Sequence, residues 1–254
     1  MMYAHKVLGM AVLAAALALG AATAHGSVIT PYVNDFSTSV GDFTATTGAQ
    51  WTLTGTGTYK NRTTSADLAM SSVVDVSDLG GPAATADDFT LTTSFIIRSY
   101  VGANTTFGFA ALGNSTALSS FYLADVQGNG TMRLYRINSG GNTALTSTTF
   151  AGGTLQTGVE YTLTLDGTYN DLGDLTLDLL LSSPTLSTSI NSTLLAANVY
   201  QGRYFGLRDR SSGAGSRLDV DFLGLSIVPE PATLALLGLG AAATVALRRR
   251  RRTY

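Results

Sequence analysis

Over residues 89–99 apolar and polar positions alternate. Phe89, Leu91, Phe95 and Ile97 fall on one face, and Thr90, Thr92, Ser94 and Arg98 on the other. The same period runs through residues 161–166, where Tyr161, Leu163 and Leu165 oppose Thr162, Thr164 and Asp166. It returns over residues 174–181, where Leu175, Leu177, Leu179 and Leu181 oppose Asp174, Thr176 and Asp178. Successive side chains of a strand leave opposite faces, so each segment predicts a strand with one face buried. Further strands are predicted over 50–54, 68–74, 105–112, 121–127, 131–138, 204–210 and 217–227. Turn signals separate them. Gly128-Asn129-Gly130 reads as a hairpin, Gly140-Gly141-Asn142 and Gly152-Gly153 as loops, and Asn170-Asp171-Leu172-Gly173 as the link between two clean strands. No helical period of 10–15 residues interrupts the series, and no fixed-period repeat is visible. The pattern predicts an all-β fold, an antiparallel two-sheet sandwich of the jelly-roll kind, over residues 25–228.

Both ends break the alternation. Residues 1–24 have the parts of a secretory signal peptide, with Lys6, an apolar helical run over 7–19 and Ala22-Thr23-Ala24 as the small-x-small site. The alternative is an uncleaved membrane anchor. At the other end Pro229-Glu230-Pro231 precedes an apolar helix over 232–247, followed by Arg248, Arg249, Arg250, Arg251 and Arg252. Such a helix of sixteen residues would span about 24 Å, somewhat short of a hydrocarbon core of about 30 Å. The arginines are predicted to stay cytoplasmic, because moving them through the bilayer is expensive. This tail, residues 229–254, resembles the PEP-CTERM sorting signal in both order and spacing. The resemblance implies recognition by an exosortase-type processing enzyme, membrane insertion through 232–247 before processing, and a cell-surface or extracellular destination. It also implies association with exopolysaccharide or biofilm systems. An arginine run directly after an apolar helix in an exported chain does not point to nucleic acid.

Composition sharpens this division. The 254 residues include no Cys, which excludes a disulfide framework, thiolate metal sites and thiol catalysis. Over residues 27–228 there are nine basic and sixteen acidic side chains, a charge of −7 concealed by the whole-chain figure of −2. Ser and Thr are abundant there while Lys and Glu are nearly absent, a composition suited to strands with hydroxylated faces. The body is similar to concanavalin A-like and laminin G-like sandwiches in three stretches. These are Asp88-Phe89-Thr90-Leu91, Gly158-Val159-Glu160-Tyr161, and the ending from Tyr204-Phe205-Gly206-Leu207-Arg208 to Asp219-Val220-Asp221-Phe222. That resemblance implies binding of sugars or proteins, with some members hydrolysing glycans.

Candidate chemistry is sparse. His5 lies in the leader and His25 at the predicted mature terminus, so a Ser-His-Asp triad has no base in the body. Glu160 is the body's single glutamate, whereas glycoside hydrolysis asks for two carboxylates at a set separation. Asp219 and Asp221 are the alternative pair. A structural calcium ion has candidate ligands in Asp166, Asn170, Asp171 and Asp174, in Asp35 with Asp219 or Asp221, and in Asp87 and Asp88. Sugar binding asks for aromatic rings beside polar groups. Arg133 and Tyr135 share a strand face, as do Tyr204 and Arg208, although cross-strand packing of amphipathic side chains is the plainer account of them. Thr52, Thr54, Thr56 and Thr58 alternate as an ice-binding ladder would, or as an exposed strand. The reading that best fits these features is a non-enzymatic exported component that binds glycan or serves adhesion or biofilm. An extracellular polysaccharide hydrolase and an ice-binding surface protein are the alternatives.

Overall fold

The computed structural model describes residues 32–36, 39, 43–45, 51–54, 58–63, 68–76, 88–101, 105–150, 153–211 and 217–229. These lie in the unit Pro31–Pro231. The predicted leader, Asp87, Thr56, Glu230, Pro231, the apolar segment 232–247 and the five arginines lie outside the described residues. Among the described residues no helix is long and apolar enough to cross a membrane.

The strands are β1 (Tyr32–Asn34), β2 (Thr44–Ala45), β3 (Trp51–Thr54), β4 (Thr58–Thr63), β5 (Leu68–Asp75), β6 (Phe89–Val101), β7 (Thr106–Gly113), β8 (Phe121–Gln127), β9 (Thr131–Asn138), β10 (Gly141–Thr149), β11 (Glu160–Tyr169), β12 (Leu175–Ser183), β13 (Leu186–Leu194), β14 (Tyr204–Ser211) and β15 (Arg217–Pro229). They form two antiparallel sheets. The first runs β13-β12-β11-β6-β15-β4-β3, with β1 also on β15, and the second β10-β9-β8-β7-β14-β5-β2. The all-β, two-sheet expectation therefore holds.

The alternation is realised as predicted. On β6, Phe89, Leu91, Phe95 and Ile97 are buried, and Leu163 and Leu165 of β11 and Leu175, Leu177, Leu179 and Leu181 of β12 join them. Rings bridge the sheets: Phe95 meets Phe107 at 4.6 Å and Phe89 meets Phe205 at 5.2 Å, both edge to face. Phe95 also stacks on Tyr161 and packs beside Phe222 within its own sheet. Gly167 stands opposite Phe89, and a Cβ there would lie 2.2 Å from the ring, so the glycine makes room for Phe89. Two bulges interrupt the long β6–β15 pairing, one at Asp219/Val220 and one at Phe222/Gly224. At the second, the buried Thr93 hydroxyl donates to the Gly224 carbonyl at 2.6 Å. This satisfies a backbone acceptor near the irregularity.

The Gly128-Asn129-Gly130 hairpin forms as expected. Gly130 N–H donates to the Gln127 carbonyl at 2.8 Å, and Gly130 has φ 82°, where a Cβ would meet the Gly153 carbonyl. Three readings are corrected. Gly141 and Asn142 are not loop but the start of β10, because Gly141 pairs with Asn138 and the turn is only two residues long. β1, β2, β4, β10 and β13 exist where no strand was predicted. The threonine run from Thr52 to Thr58 is not one row: β3 and β4 fold back as a hairpin with Thr54 paired to Thr58.

Replacing Phe95 by alanine removes the ring on which both sheets converge. The expected loss is about 3–5 kcal/mol of unfolding free energy in denaturant titration. A loss below about 1 kcal/mol would show that this contact does not hold the sheets together.

Candidate functional site

The outward face of the second sheet carries the chemistry. On β8 and β9 the pleat sends Ala124, Val126, Met132 and Leu134 into the core, so Leu123, Asp125, Arg133 and Tyr135 point outward. On β14, Phe205 and Leu207 are core, so Tyr204, Arg208 and Arg210 point outward. Register then assembles a row across four strands. Arg208 faces Gly108, Gly108 faces Asp125, and Asp125 faces Arg133. Glycine has no side chain, so nothing stands between Arg208 and Asp125 in that row. A Cβ on Gly108 would in any case lie 2.1 Å from the Ala124 carbonyl oxygen.

A cavity of about 180 Å³ opens here, lined by Thr106, Asp125, Arg133, Tyr135, Arg208 and Arg210 together with Leu123, Ile137 and Asn142. Asp125 is only 1% exposed, and both its oxygens accept from Arg133, from Nε at 2.8 Å and from the terminal nitrogen at 2.7 Å. Burial alone would lower the Arg133 guanidinium, but the hydrogen bond and charge of Asp125 outweigh it and hold Arg133 above its ordinary value. Arg133 also lies over the Tyr135 ring at 5.2 Å. Arg208 lies over the Phe121 ring at 4.6 Å. Burial pushes its pKa down, Asp125 partly offsets this, and Arg210 adds to the depression.

Of the predicted ligand residues, Arg133, Tyr135 and Arg208 thus surround one cavity. Tyr204 sits elsewhere on the same face. It packs on the apolar cluster of Val73, Ala110, Leu118 and Phe121, and lines a second cavity of about 440 Å³ with Asn114, Tyr200 and Arg203. Leu118 reaches that cluster from the β7–β8 loop with φ 50°, a left-handed conformation held by its burial. Asp125, Thr106 and Arg210 escaped the sequence reading. A lone aspartate inside the apolar strand Phe121–Gln127 was the available signal.

The predicted cation ligands have other engagements. Asn170 Oδ1 accepts from Leu172 and Asp174 N–H groups at 2.9 Å, and Asn170 Nδ2 donates to Asp174 at 3.0 Å. Asp174 also accepts from Ala196 N–H at 2.9 Å, and these bonds hold its carboxyl below the usual range. Asp171 is exposed on the same loop. Asp166 accepts from the Thr90 hydroxyl at 2.6 Å and stands directly opposite Asp178. Asp88 accepts from Tyr169 N–H at 2.6 Å. Asp35 follows β1, which pairs with β15, and lies beside Gly224. Asp221 is paired with Arg98, and Asp219 lies two residues before it on β15. Among the described residues no three His, Cys, Asp or Glu side chains gather as a metal site.

The last strand leads into the tail. Val228 and Pro229 pair with Thr90 and Phe89 of β6, and the chain continues as Glu230-Pro231, the apolar run and the arginines. Residues 228–251 match the PEP-CTERM protein-sorting motif. The match includes Pro229, Glu230, Pro231 and Arg248 to Arg251, and stops one residue short of Arg252. The PEP-CTERM motif therefore begins inside β15. No curated protein shows a significant sequence match. The sandwich itself is similar to solved lectin and carbohydrate-binding folds. The carbohydrate-binding module CBM66 from Bacillus subtilis aligns with a TM-score of 0.50 at 15% identity, over 71% of this chain and 91% of its own. Lectin II from Ulex europaeus aligns with a TM-score of 0.56 at 11% identity, over 81% of this chain and all of its own. The GH43 protein BlXynB from Bacillus licheniformis aligns at 0.54 and 13% identity over 78% of this chain, which spans 39% of that protein. At these identities the likeness is one of fold.

Two outcomes follow from the pairings. Arg133→Ala leaves a dry carboxylate without its cation and is expected to destabilise by about 3–5 kcal/mol, whereas Asp125→Leu with Arg133→Met recovers most of that loss in denaturant titration. Asp178 is raised by burial first and then by Asp166. Its folded pKa exceeds the unfolded one, so its contribution is present at low pH and lost as pH rises through the folded value. Asp178→Asn is therefore expected to raise the thermal midpoint at pH 7 and not below about pH 3. A gain of equal size at both pH values would rule out charge repulsion as the cause.

Proposed function

We propose that this protein is an exported, surface-sorted, non-enzymatic glycan-binding component that works through the outer face of its second sheet. The observation that carries the reading is the cavity in which Arg133, Tyr135 and Arg208 stand together. A half-buried aromatic beside fixed donors matches a pyranose, whose carbon-bound hydrogens face a ring while its hydroxyls seek polar partners. The lectin and carbohydrate-binding-module folds of the neighbours support the same use of the sandwich. The PEP-CTERM motif supports export, handling by an exosortase with processing near Pro229–Pro231, and membrane insertion through 232–247 beforehand. A matrix, adhesion or biofilm role follows from that destination.

Hydrolysis is disfavoured by the chemistry of the cavity. A glycosidase needs an acid and a second carboxylate flanking the bond. Here the lining supplies one carboxylate, Asp125, and both its oxygens are taken by Arg133. The Asp219 and Asp221 pair lies on the other sheet, with Asp221 held by Arg98.

Glycan-array binding measured beside reducing-sugar release tests the reading. Binding without release is expected, with Tyr135→Ala weakening it by about tenfold, or about 1.4 kcal/mol. Sugar release that vanishes in Asp219→Asn or Asp221→Asn would overturn it. Mass spectrometry of the protein from its native cells tests the sorting, with loss of residues 1–24 and of the tail expected. An intact chain ending at Tyr254 would contradict processing.

A further inference from the structure

Arg208 is an anomaly within its own cavity. It belongs to a body whose nine basic side chains are outnumbered by sixteen acidic ones. Yet no hydrogen bond or ion pair engages its guanidinium among the described residues. The carboxylate that could pair with it, Asp125, has committed both oxygens to Arg133. Gly108, between Arg208 and Asp125 in the sheet register, leaves that gap unfilled. The Phe121 ring beneath Arg208 supplies only a cation–π contact. Even partly burying a cation without a hydrogen-bonded counter-ion is unfavourable, and such groups are ordinarily paired. Burial also drives the Arg208 pKa down by more than the nearby Asp125 and Asp209 carboxylates raise it. Arg133 is balanced by Asp125, so the charge that Arg208 brings to the cavity is additional to that pair. The surplus positive charge is local, inside a domain whose overall charge repels anions.

We propose that the cavity selects acidic glycans, with the Arg208 guanidinium taking the carboxylate of a uronate residue. The proposal rests on the glycan-binding reading and names its substrate class. Guanidinium and carboxylate match as a planar two-bond pair, which an ammonium cannot reproduce. Thr106 and Asn142 line the same cavity and offer partners to ring hydroxyls, and Tyr135 offers its ring. These neutral partners favour a sugar acid over an acidic peptide.

Calorimetric titration of the full chain with oligogalacturonate and with its methyl ester, which is nearly the same shape without the charge, tests this. The acid is expected to bind at least about tenfold tighter than the ester. Arg208→Met is expected to abolish that preference, and Arg208→Lys to restore only part of it. Thermal unfolding separates this from misfolding, because removing a half-buried cation that makes no hydrogen bond is expected to leave the midpoint unchanged or higher. Equal affinity for acid and ester would overturn the acidic preference while leaving glycan binding intact. Binding of poly-L-glutamate as tight as that of oligogalacturonate would overturn the sugar. Binding of neither galacturonate form nor of any neutral oligosaccharide on the array would overturn both readings.

Discussion

Phe95 lies 4.6 Å from Phe107 of the facing sheet and touches Tyr161 and Phe222 in its own. Contacts of this kind commit most of the inward face of the central strands to apolar side chains, although Ser72 of β5 and Asp209 of β14 are buried there too. Thr93 is an exception on β6, and it is admitted because its hydroxyl reaches the Gly224 carbonyl. With the interior filled in this way, the period of two leaves arginines, tyrosines and threonines to the outer faces. The position of the candidate site is thus a consequence of the core. Arg133, Tyr135 and Arg208 are outward because Met132, Leu134 and Leu207 are inward.

The second sheet then divides its outer face. Val73, Ala110, Leu118 and Phe121 form an apolar patch that carries Leu123, Ile137 and Tyr204. The arginines stand on one side of it and the Tyr200–Tyr204 segment on the other. That segment is pinned by Tyr122, whose hydroxyl donates to the Asn198 carbonyl and accepts from Tyr200 N–H, each at 3.1 Å. Burial of this phenol, chiefly, pushes its pKa up to about 12. Both cavities are therefore bounded by groups whose positions follow from packing, which is the condition for a preorganised site.

How far the sequence reports this depends on how many neighbours a strand has. β6, β11 and β12 are flanked on both edges, and each shows a clean apolar row in sequence. β10 and β13 end their sheets and read poorly: Leu186, Ile190 and Leu194 lie four apart, with Thr188 and Ser192 filling the face between them. An end strand packs against fewer side chains, so less apolar surface is demanded of it. The same logic applies to the site. Arg133 and Tyr135, two residues apart, were legible as one face. Their union with Arg208 was not, because it passes through the register of β7 and β8, which no local pattern carries. The metal candidates failed to gather for a related reason. Proximity in the chain at Asn170, Asp171 and Asp174 reflected a turn that uses its own side chains to close.

The two outer faces also differ in what they leave over for a partner. On the first sheet, hydroxyls face one another across strands: Thr92 with Thr164, Ser94 with Thr162, and Thr176 with Thr193, the last at 2.9 Å. Thr90 turns to Asp166. Such ladders hold the sheet together and use up donors and acceptors in doing so, so a ligand there would have to break bonds in order to form its own. On the second sheet Asp125 pairs with Arg133, Thr131 with Thr149 and Arg203 with Asp75, while no hydrogen bond engages the Arg208 guanidinium among the described residues. That guanidinium stands over the Phe121 ring, beside a cavity of about 180 Å³. Stability is drawn from the hydroxylated face and the core, and the cavity on the second sheet is where one strong donor stands without a hydrogen bond among the described residues.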